Sequence, residues 1–253
     1  MGQVLTRMIR APRTFVHWWW NGRGERAPWL RRIAGLFFQI FILLPLVLIL
    51  AFRFVPVPFT ANMVLDVLSG SAVHYAWRDA DAIAPALGRA VIASEDQRFC
   101  SHHGFDWKSI DDALREHKRH PSRPLRGAST LSQQTARSLF LSPERSWLRK
   151  GIEAYFTTLL EVLWPKERIL TVYLNLADWG HGNFGAEAAA QAYFHKPASA
   201  LTQAQAARLA AILPDPDVWR AVRPGPYVTA RTATILARMG EVRRDGLDAC
   251  VRR

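Results

Sequence analysis

Cysteine is nearly absent from this sequence, which contains only Cys100 and Cys250 among 253 residues. Two cysteines cannot supply the disulfide framework that holds many small secreted domains together. A bond between them is chemically permitted outside the cytoplasm, but their wide separation in sequence favours two free, unrelated thiols. Hydrophobic residues make up 49% of the chain, which is enough for one sizeable core, so we expect a single globular domain.

Acidic residues are also scarce, with 21 against 33 lysines and arginines, and the formal net charge is +12. Residues 1–32 contain seven arginines and one glutamate, which accounts for half of this excess. Because an apolar segment follows at once, membrane topology and anionic lipid explain these arginines and exclude a nucleic-acid partner. The positive charge on the rest of the chain suits a membrane surface or an anionic substrate.

The longest uncharged run is residues 33–52, IAGLFFQIFILLPLVLILAF. As a helix it would be roughly 30 Å long, the thickness of a bilayer core, and Pro45 is tolerable in such a helix. A cleaved signal peptide or a buried core helix are the alternatives, but the run is long and no small-residue cleavage site follows. We predict a retained single-pass anchor. The arginines before it and the lone Arg53 after it place the N-terminus in the cytoplasm.

Strand-like alternation is scarce, and the apolar residues after Trp77 recur mostly at helical spacing, so the body is predicted to be mainly α. The predicted divisions are a basic arm (1–32), the anchor (33–52), an extended juxtamembrane connector (53–76), a catalytic domain (77–228) and a basic helical tail (229–253). The connector contains Phe54, Val57 and Phe59, which we expect to contact lipid. Residues 115–127 are basic and rich in turn formers, which indicates an exposed, mobile loop.

Local signals place two helices after that loop. Thr130 and Gln133 fit a capping box, so one helix should begin near Thr130. A second should begin at Ser142 and end before Pro165. The glycines between residues 180 and 185 follow no strand and lack a P-loop ending, so they indicate backbone freedom or close packing and not a phosphate site.

Three groups of polar residues are candidates for chemistry. Glu95 and Asp96 follow an apolar run and precede Phe99, His102 and His103. Taken alone, each group has an ordinary explanation as a solvated surface, and adjacent histidines without ligand spacing argue against a metal site. The other two groups lie on predicted helix faces: Thr130, Gln134 and Arg137, and then Arg149, Lys150 and Glu153. Two glutamates near cations suit a reaction in which one carboxylate takes a proton while an anionic group departs.

Five segments in order carry a family resemblance: EDQRFCSHHGFD, GASTLSQQTARSLFL, RSWLRKGIEAYFTTLLE, KERILTVYLN and GHGNFGAEAAAQAYF. They resemble the successive motifs of the bacterial peptidoglycan glycosyltransferases that polymerise lipid II, over roughly residues 90–227. The sequence contains neither the S-x-x-K nor the K-T-G signature of the transpeptidase domain of the bifunctional members, so it resembles the monofunctional ones.

The resemblance implies a lysozyme-like, two-lobed helical fold and a role for each matching residue. Glu95 matches the general base, which deprotonates the acceptor sugar, and Glu153 matches the second catalytic glutamate, beside the donor pyrophosphate. The remaining substrate-binding matches are Asp96, Phe99, His102, Thr130, Gln134, Arg137, Arg149 and Lys150. No organic cofactor is implied, and a divalent cation such as Mg2+ near Glu153 is the one metal expectation.

The partners implied are lipid II, the growing glycan strand, membrane lipid and other cell-wall synthesis proteins. The implied location is the bacterial inner membrane, with the catalytic domain in the periplasm. The sequence departs from the family at Arg137 and Ser138, where lysine and asparagine are usual, at Pro165, and at His195, which replaces a glycine. The rival interpretations are a lytic enzyme that cleaves finished glycan, because the implied fold is lysozyme-like, and a non-catalytic membrane scaffold.

Overall fold

The computed structural model describes residues 28–122, 127–142 and 146–252. The chain divides into two compact units, residues 1–47 and residues 48–253. Residues 1–27, which make up most of the predicted basic arm, lie outside the described residues. The helices are α1 (Pro28–Phe38), α2 (Leu44–Phe52), α3 (Ala61–Leu68), α4 (Pro85–Glu95), α5 (Trp107–Arg119), α6 (Leu131–Phe140), α7 (Trp147–Leu163), α8 (Lys166–Leu176), α9 (Gly185–Phe194), α10 (Gln203–Ile212) and α11 (Pro226–Arg244). Two short strands, β1 (His74–Tyr75) and β2 (Asn183–Phe184), pair in parallel.

The apolar run forms one continuous helix, Arg31–Phe52, which is long and apolar enough to cross a membrane. Between α1 and α2 it passes through a π-helical turn, Gln39–Leu43. Pro45 lies just after this turn, and a proline both lacks an amide hydrogen and crowds the carbonyl four residues before it. A wider turn relieves that crowding, so the helix continues past the proline, as the sequence analysis predicted.

Residues of the second unit bind the carbonyl groups at the end of this helix. The indole of Trp164 donates to the Ile49 carbonyl at 2.7 Å, and the Arg168 guanidinium donates to the Phe52 carbonyl at 2.8 Å. The Ile49 carbonyl also accepts from the Arg53 amide, whereas the Phe52 carbonyl lies at the helix end, where such groups lack a partner within the helix and a cation complements the helix dipole. The last turn of this helix, which belongs to the second unit, is therefore hydrogen-bonded to Trp164 and Arg168.

The connector is only partly extended, because Thr60 caps a helix within it. Its hydroxyl accepts a hydrogen bond from the Met63 amide at 3.3 Å, and α3 follows. The predicted lipid contact is also wrong at one position. Phe54 and Phe59 are 77% and 62% exposed, but Val57 is 1% exposed and belongs to the core of the protein.

The core is built from helices that approach closely through small side chains. α4, α10 and α11 pack against one another, and α6 packs against α7 and α8. The alanine-rich α10 buries Ala206, Ala207, Ala210 and Ala211 completely. On α4, Gly88 lies so near α8 that an added Cβ would be 3.2 Å from a methyl group of Leu170. Small residues here let the backbones come together, which positions the C-terminal end of α4.

Helix boundaries confirm some of the local predictions and correct others. The capping box of Thr130 and Gln133 is present at the start of α6. α7 begins at Trp147 with Ser146 as its N-cap, so the predicted start at Ser142 is wrong, and residues 143–145 lie outside the described part. The predicted loop 115–127 is helical as far as Arg119, and residues 123–126 are not described.

The glycine-rich turn before β2 is explained by close packing. Gly180 and Gly182 have φ values of 88° and 74°, in the left-handed region that favours glycine. A Cβ on Gly180 would lie 2.2 Å from the Pro216 carbonyl oxygen, and one on Gly182 would lie 1.9 Å from the Ala72 oxygen. No side chain fits at either place, which agrees with the predicted role in packing.

The expectation of two free thiols is wrong, because Cys100 and Cys250 form a disulfide across 150 residues. The fold brings them together: α11 runs back along α4 and returns the C-terminal segment to the loop that follows α4. Asp248 fixes that segment by pairing with Arg89 of α4 at 3.0 Å. Residues 229–252 lie within the second unit, and α11 ends at Arg244.

We predict that replacing both cysteines by serine lowers the free energy of unfolding by about 2–5 kcal/mol, because a cross-link over a long loop restricts the unfolded chain. Thermal unfolding of the full chain in detergent, with and without a reductant, measures this. Reductant should destabilise the parent protein and leave the serine variant unchanged, whereas equal stability of both proteins would contradict the assignment.

His195 ends α9 in the left-handed conformation, with φ 54° and ψ 42°. A side chain in this region costs about 1–2 kcal/mol relative to the ordinary helical region, and glycine avoids this. We therefore expect His195→Gly to raise the unfolding temperature. The matched control is Lys196→Gly, whose φ is not positive and which should not stabilise. An unfolding temperature that falls in the His195 variant would be the opposite result.

Candidate functional site

Glu95 is the last residue of α4 and lies at the meeting point of two clefts. One has a volume of 690 Å³ and is bordered by α5, and the other has a volume of 740 Å³ and is bordered by α11. Both clefts are lined by Ser94, Glu95, Ser129 and Arg238. α4 is buried along most of its length, so its final residue is held in place while its carboxylate reaches the open space. A substrate in either cleft would meet Glu95.

The carboxylate of Glu95 is nearly enclosed, with 16% of its side chain exposed. Burial is the main influence and raises its pKa above the ordinary value. The Gln134 amide donates to Oε2 at 3.2 Å, and the Arg231 guanidinium lies 3.8 Å from Oε1. Both groups favour the ionised form and partly oppose the effect of burial. The result is a carboxylate that holds a proton more readily than a surface glutamate.

Asp96, the residue after Glu95, is a buried hydrogen-bond acceptor that connects two helices. Its side chain accepts a hydrogen bond from the Leu131 amide at 2.9 Å and from His102 Nε2 at 3.0 Å. It therefore links the end of α4 to the first turn of α6, and it is 6% exposed. Phe99 is fully buried behind this pair, with the Lys166 ammonium 4.5 Å from its ring centre. Asp96, Phe99 and His102 are buried and hold the segment after α4 in place. His103 points outward and is exposed.

The predicted polar stripe on α6 divides into three environments. Thr130 is 2% exposed, and its hydroxyl donates to the Gly104 carbonyl at 2.6 Å. Gln134 reaches Glu95, as described above. Arg137 is half-buried and contributes its charge to the surroundings of Tyr173. Of the three, Gln134 is the one in direct contact with the Glu95 carboxylate.

The second predicted glutamate belongs to a separate cluster on the first turns of α7. Glu153 is 1% exposed, accepts from Arg149 at 2.8 Å and also pairs with Lys150. These pairs follow from helical spacing, at four and three residues. Two cations share one carboxylate, so the cluster has a net positive charge. Arg149 Nε is buried and has no hydrogen-bond partner among the described residues.

The residues at Glu153 do not fit a divalent cation. Both carboxylate oxygens are engaged by Arg149 and Lys150, and an added Mg2+ would meet their positive charge. Among the described residues there is no group of three or more histidine, cysteine or acidic side chains that could hold a metal ion. The arrangement suits an anionic group better than a metal.

Three residues near Glu95 were missed by the sequence analysis: Tyr173, Arg231 and Arg238. The Tyr173 hydroxyl donates to the Gln134 side-chain oxygen at 3.2 Å, and the two arginines project from α11. Tyr173 is part of an apolar helical pattern and looks like an ordinary core residue in the sequence. The arginines fall in the segment predicted to be a tail. The spacing of these residues along the chain gives no sign that they converge on Glu95.

A buried carboxylate beside an amide and a guanidinium, at the edge of open clefts in a helical domain, is suited to proton transfer on a polar substrate. Comparison with known proteins defines the class. A profile described as Transglycosylase matches residues 62–240. The chain belongs to this family, whose catalytic domain is lysozyme-like, and it is a glycosyltransferase.

Relatives named biosynthetic peptidoglycan transglycosylase are similar over most of the chain. The protein of Caulobacter vibrioides is 48% identical over 222 residues, covering 88% of this chain and 96% of the relative. That of Rhodospirillum centenum is 51% identical over 223 residues, covering 88% and 95%. That of Klebsiella oxytoca is 52% identical over 202 residues, covering 77% and 83%.

We predict that Glu95→Gln raises the unfolding temperature at neutral and alkaline pH, because the parent protein then has a buried charge that the variant lacks. The folded pKa is raised, so the parent takes up a proton as the pH falls through that pKa, and the gap between the two proteins should close. Asp111→Asn, at an exposed carboxylate on α5, is the control and should show no such gap. A gap that widens as the pH falls would contradict the assignment.

Proposed function

We propose that this protein polymerises lipid II into β-1,4-linked glycan strands, with Glu95 as the general base. The observation that carries the proposal is the enclosed Glu95 carboxylate at the junction of two clefts, with a pKa raised by burial. The relatives are named for peptidoglycan biosynthesis, which supports this substrate class. Two clefts that share one carboxylate suit a reaction that joins a donor and an acceptor sugar.

In the proposed reaction the ionised Glu95 takes the proton of the acceptor's 4-hydroxyl group. The freed oxygen attacks the anomeric carbon of the donor sugar, a carbon–oxygen bond forms, and the bond from that carbon to the pyrophosphate breaks. Attack from the face opposite the leaving group inverts an α linkage to β. A base works best when its pKa is near the working pH, and burial moves Glu95 in that direction.

The leaving group is undecaprenyl pyrophosphate, and its negative charge must be stabilised as it departs. The cluster of Arg149, Lys150 and Glu153 is the proposed site for this charge. Glu153 holds both Arg149 and Lys150, and the Lys150 side chain is 40% exposed, so its ammonium can bind a phosphate oxygen while the pair stays in place. Arg137 adds positive charge on α6. Lysine is usual in the family at this position, and arginine can also bind phosphate.

The proposed location is the inner membrane, with the N-terminus in the cytoplasm and the catalytic domain outside. The helix Arg31–Phe52 is apolar from Ile33 onward. The exposed side chains of Phe54 and Phe59, just after it, suit contact with lipid as well. The Cys100–Cys250 disulfide supports this orientation, because such bonds persist in oxidising compartments and not in the cytoplasm. A lipid-linked substrate would then reach the enzyme from the membrane in which it is anchored.

Purified full-length protein in detergent should convert lipid II into polymer and leave finished peptidoglycan intact. Glu95→Gln should lower the rate roughly 10²- to 10⁴-fold, the usual contribution of a positioned base, while folding is retained. Glu153→Gln should also be severely impaired, because its cations lose the carboxylate that orients them. Gel analysis of labelled lipid II follows the product.

Asp111→Asn serves as the matched carboxylate control and should keep the parent rate, because Asp111 pairs with Arg115 on an exposed face of α5. Shortening of finished glycan without polymer from lipid II would show a lytic enzyme instead. Full polymerisation by Glu95→Gln would remove the base assignment, and normal turnover by Glu153→Gln would remove the donor-site assignment.

A further inference from the structure

We propose that Tyr173 is a positioning residue for Glu95 and acts through the side-chain amide of Gln134. The inference rests on the proposed role of Glu95 as the base and extends it to a residue on another helix. The Tyr173 hydroxyl donates to Gln134 Oε1 at 3.2 Å, and Gln134 Nε2 donates to Glu95 Oε2 at 3.2 Å. Tyr173 is 4% exposed and belongs to α8, so this chain of two hydrogen bonds joins α8, α6 and α4.

The amide of Gln134 has one accepting end and one donating end, and the two ends meet different partners. With Tyr173 donating to its oxygen, the amide presents its NH2 group to Glu95. A donor at Glu95 stabilises the ionised carboxylate, which is the form that accepts a proton from the substrate. The phenol therefore keeps the amide in the orientation that the base requires.

Loss of the phenol would reverse this preference. In a Tyr173→Phe protein the Gln134 oxygen would lose the donor that the buried phenol now supplies. The amide could recover a partner by turning its oxygen toward Glu95, but it would then accept from the protonated acid only. The protonated form of Glu95 would gain and the ionised form would lose, so the pKa of Glu95 would rise further.

The charged groups around these two hydrogen bonds are consistent with donation from Tyr173 to Gln134 and from Gln134 to Glu95. Burial, with a smaller contribution from the Glu95 charge, holds the pKa of Tyr173 well above its usual range, so the phenol stays a donor. Arg137 acts on Tyr173 in the opposite sense. Arg231 and Asp96 act on Glu95 from α11 and from the next position in the chain, and Tyr173→Phe touches neither.

The kinetic test compares Tyr173→Phe with the parent protein in lipid II polymerisation. At a pH on the acidic limb we expect kcat to fall about five- to tenfold, because less of Glu95 is ionised there, with KM for lipid II little changed. The acidic limb of the pH profile should move to higher pH. Tyr75→Phe is the matched control, because it also removes a phenol that donates to a protein oxygen, here the Val57 carbonyl, and Tyr75 lines neither of the clefts at Glu95. It should keep the parent kcat and pH profile.

A double-mutant cycle separates positioning from packing. If Tyr173 acts through the amide, Tyr173→Phe should change kcat less than about twofold in a Gln134→Ala background, because the intermediary is gone. An equal loss in both backgrounds would show that the phenol serves packing only and would overturn the inference. An unchanged kcat in the single variant, or a change confined to KM, would overturn it as well.

A second measurement does not depend on turnover. Full-length protein labelled with carbon-13 at the glutamate carboxyl groups is titrated by NMR in detergent micelles, and the Glu95 signal is the one absent from Glu95→Gln. We expect the Glu95 pKa to be higher in Tyr173→Phe than in the parent and unchanged in Tyr75→Phe. An unchanged Glu95 pKa in Tyr173→Phe refutes the inference. Failure of the parent protein to polymerise lipid II refutes the proposed function and leaves this titration to decide the positioning role alone.

Discussion

The enclosure of one carboxylate is the constraint on which the site depends. Glu95 is held where four helices converge: α4 supplies the residue, α6 supplies Gln134, α8 supplies Tyr173 behind it, and α11 supplies Arg231. A charge this deeply placed needs partners, and each partner comes from a different segment of the chain. The packing of α4 against α10 and α11, and the approach of Gly88 to Leu170 of α8, therefore position the groups around Glu95.

The two carboxylates of the proposed mechanism are prepared in opposite ways. Glu95 has one amide and one distant guanidinium, so burial prevails and its pKa is raised. Glu153 is even more buried but is joined by two cations, and it orients Arg149 and Lys150. One carboxylate is thus suited to exchange a proton, and the other is suited to hold positive charge near a departing anion. Sequence alone shows two glutamates, and their different partners assign the different tasks.

Features encoded by neighbouring residues could be predicted, and features that depend on the path of the chain could not. The apolar helix, the α6 capping box and the end of α7 before Pro165 each follow from a few consecutive residues. The family motifs indicated Gln134 as a substrate contact, but they did not predict its hydrogen bond to Glu95. The prolines before α3 indicated an extended segment. The Thr60 N-cap is the local signal from which α3 could have been predicted.

The disulfide and the residues Tyr173 and Arg231 belong to the second kind. Cys100 and Cys250 meet because α11 packs along α4, and Arg231 reaches Glu95 for the same reason. Tyr173 faces the site from a helix whose pattern is that of a core element. The disulfide and the positions of Tyr173 and Arg231 all depend on which distant helices pack together. Residue spacing along one sequence does not show this.

The most direct test of the account is the rate of lipid II polymerisation by the parent protein as a function of pH. If a buried Glu95 is the base, the rate should fall in proportion to its ionised fraction, with an acidic limb above the ordinary glutamate value of 4.5. A rate that stays constant as the pH is lowered to 4.5, in protein shown to remain folded, would contradict the central claim.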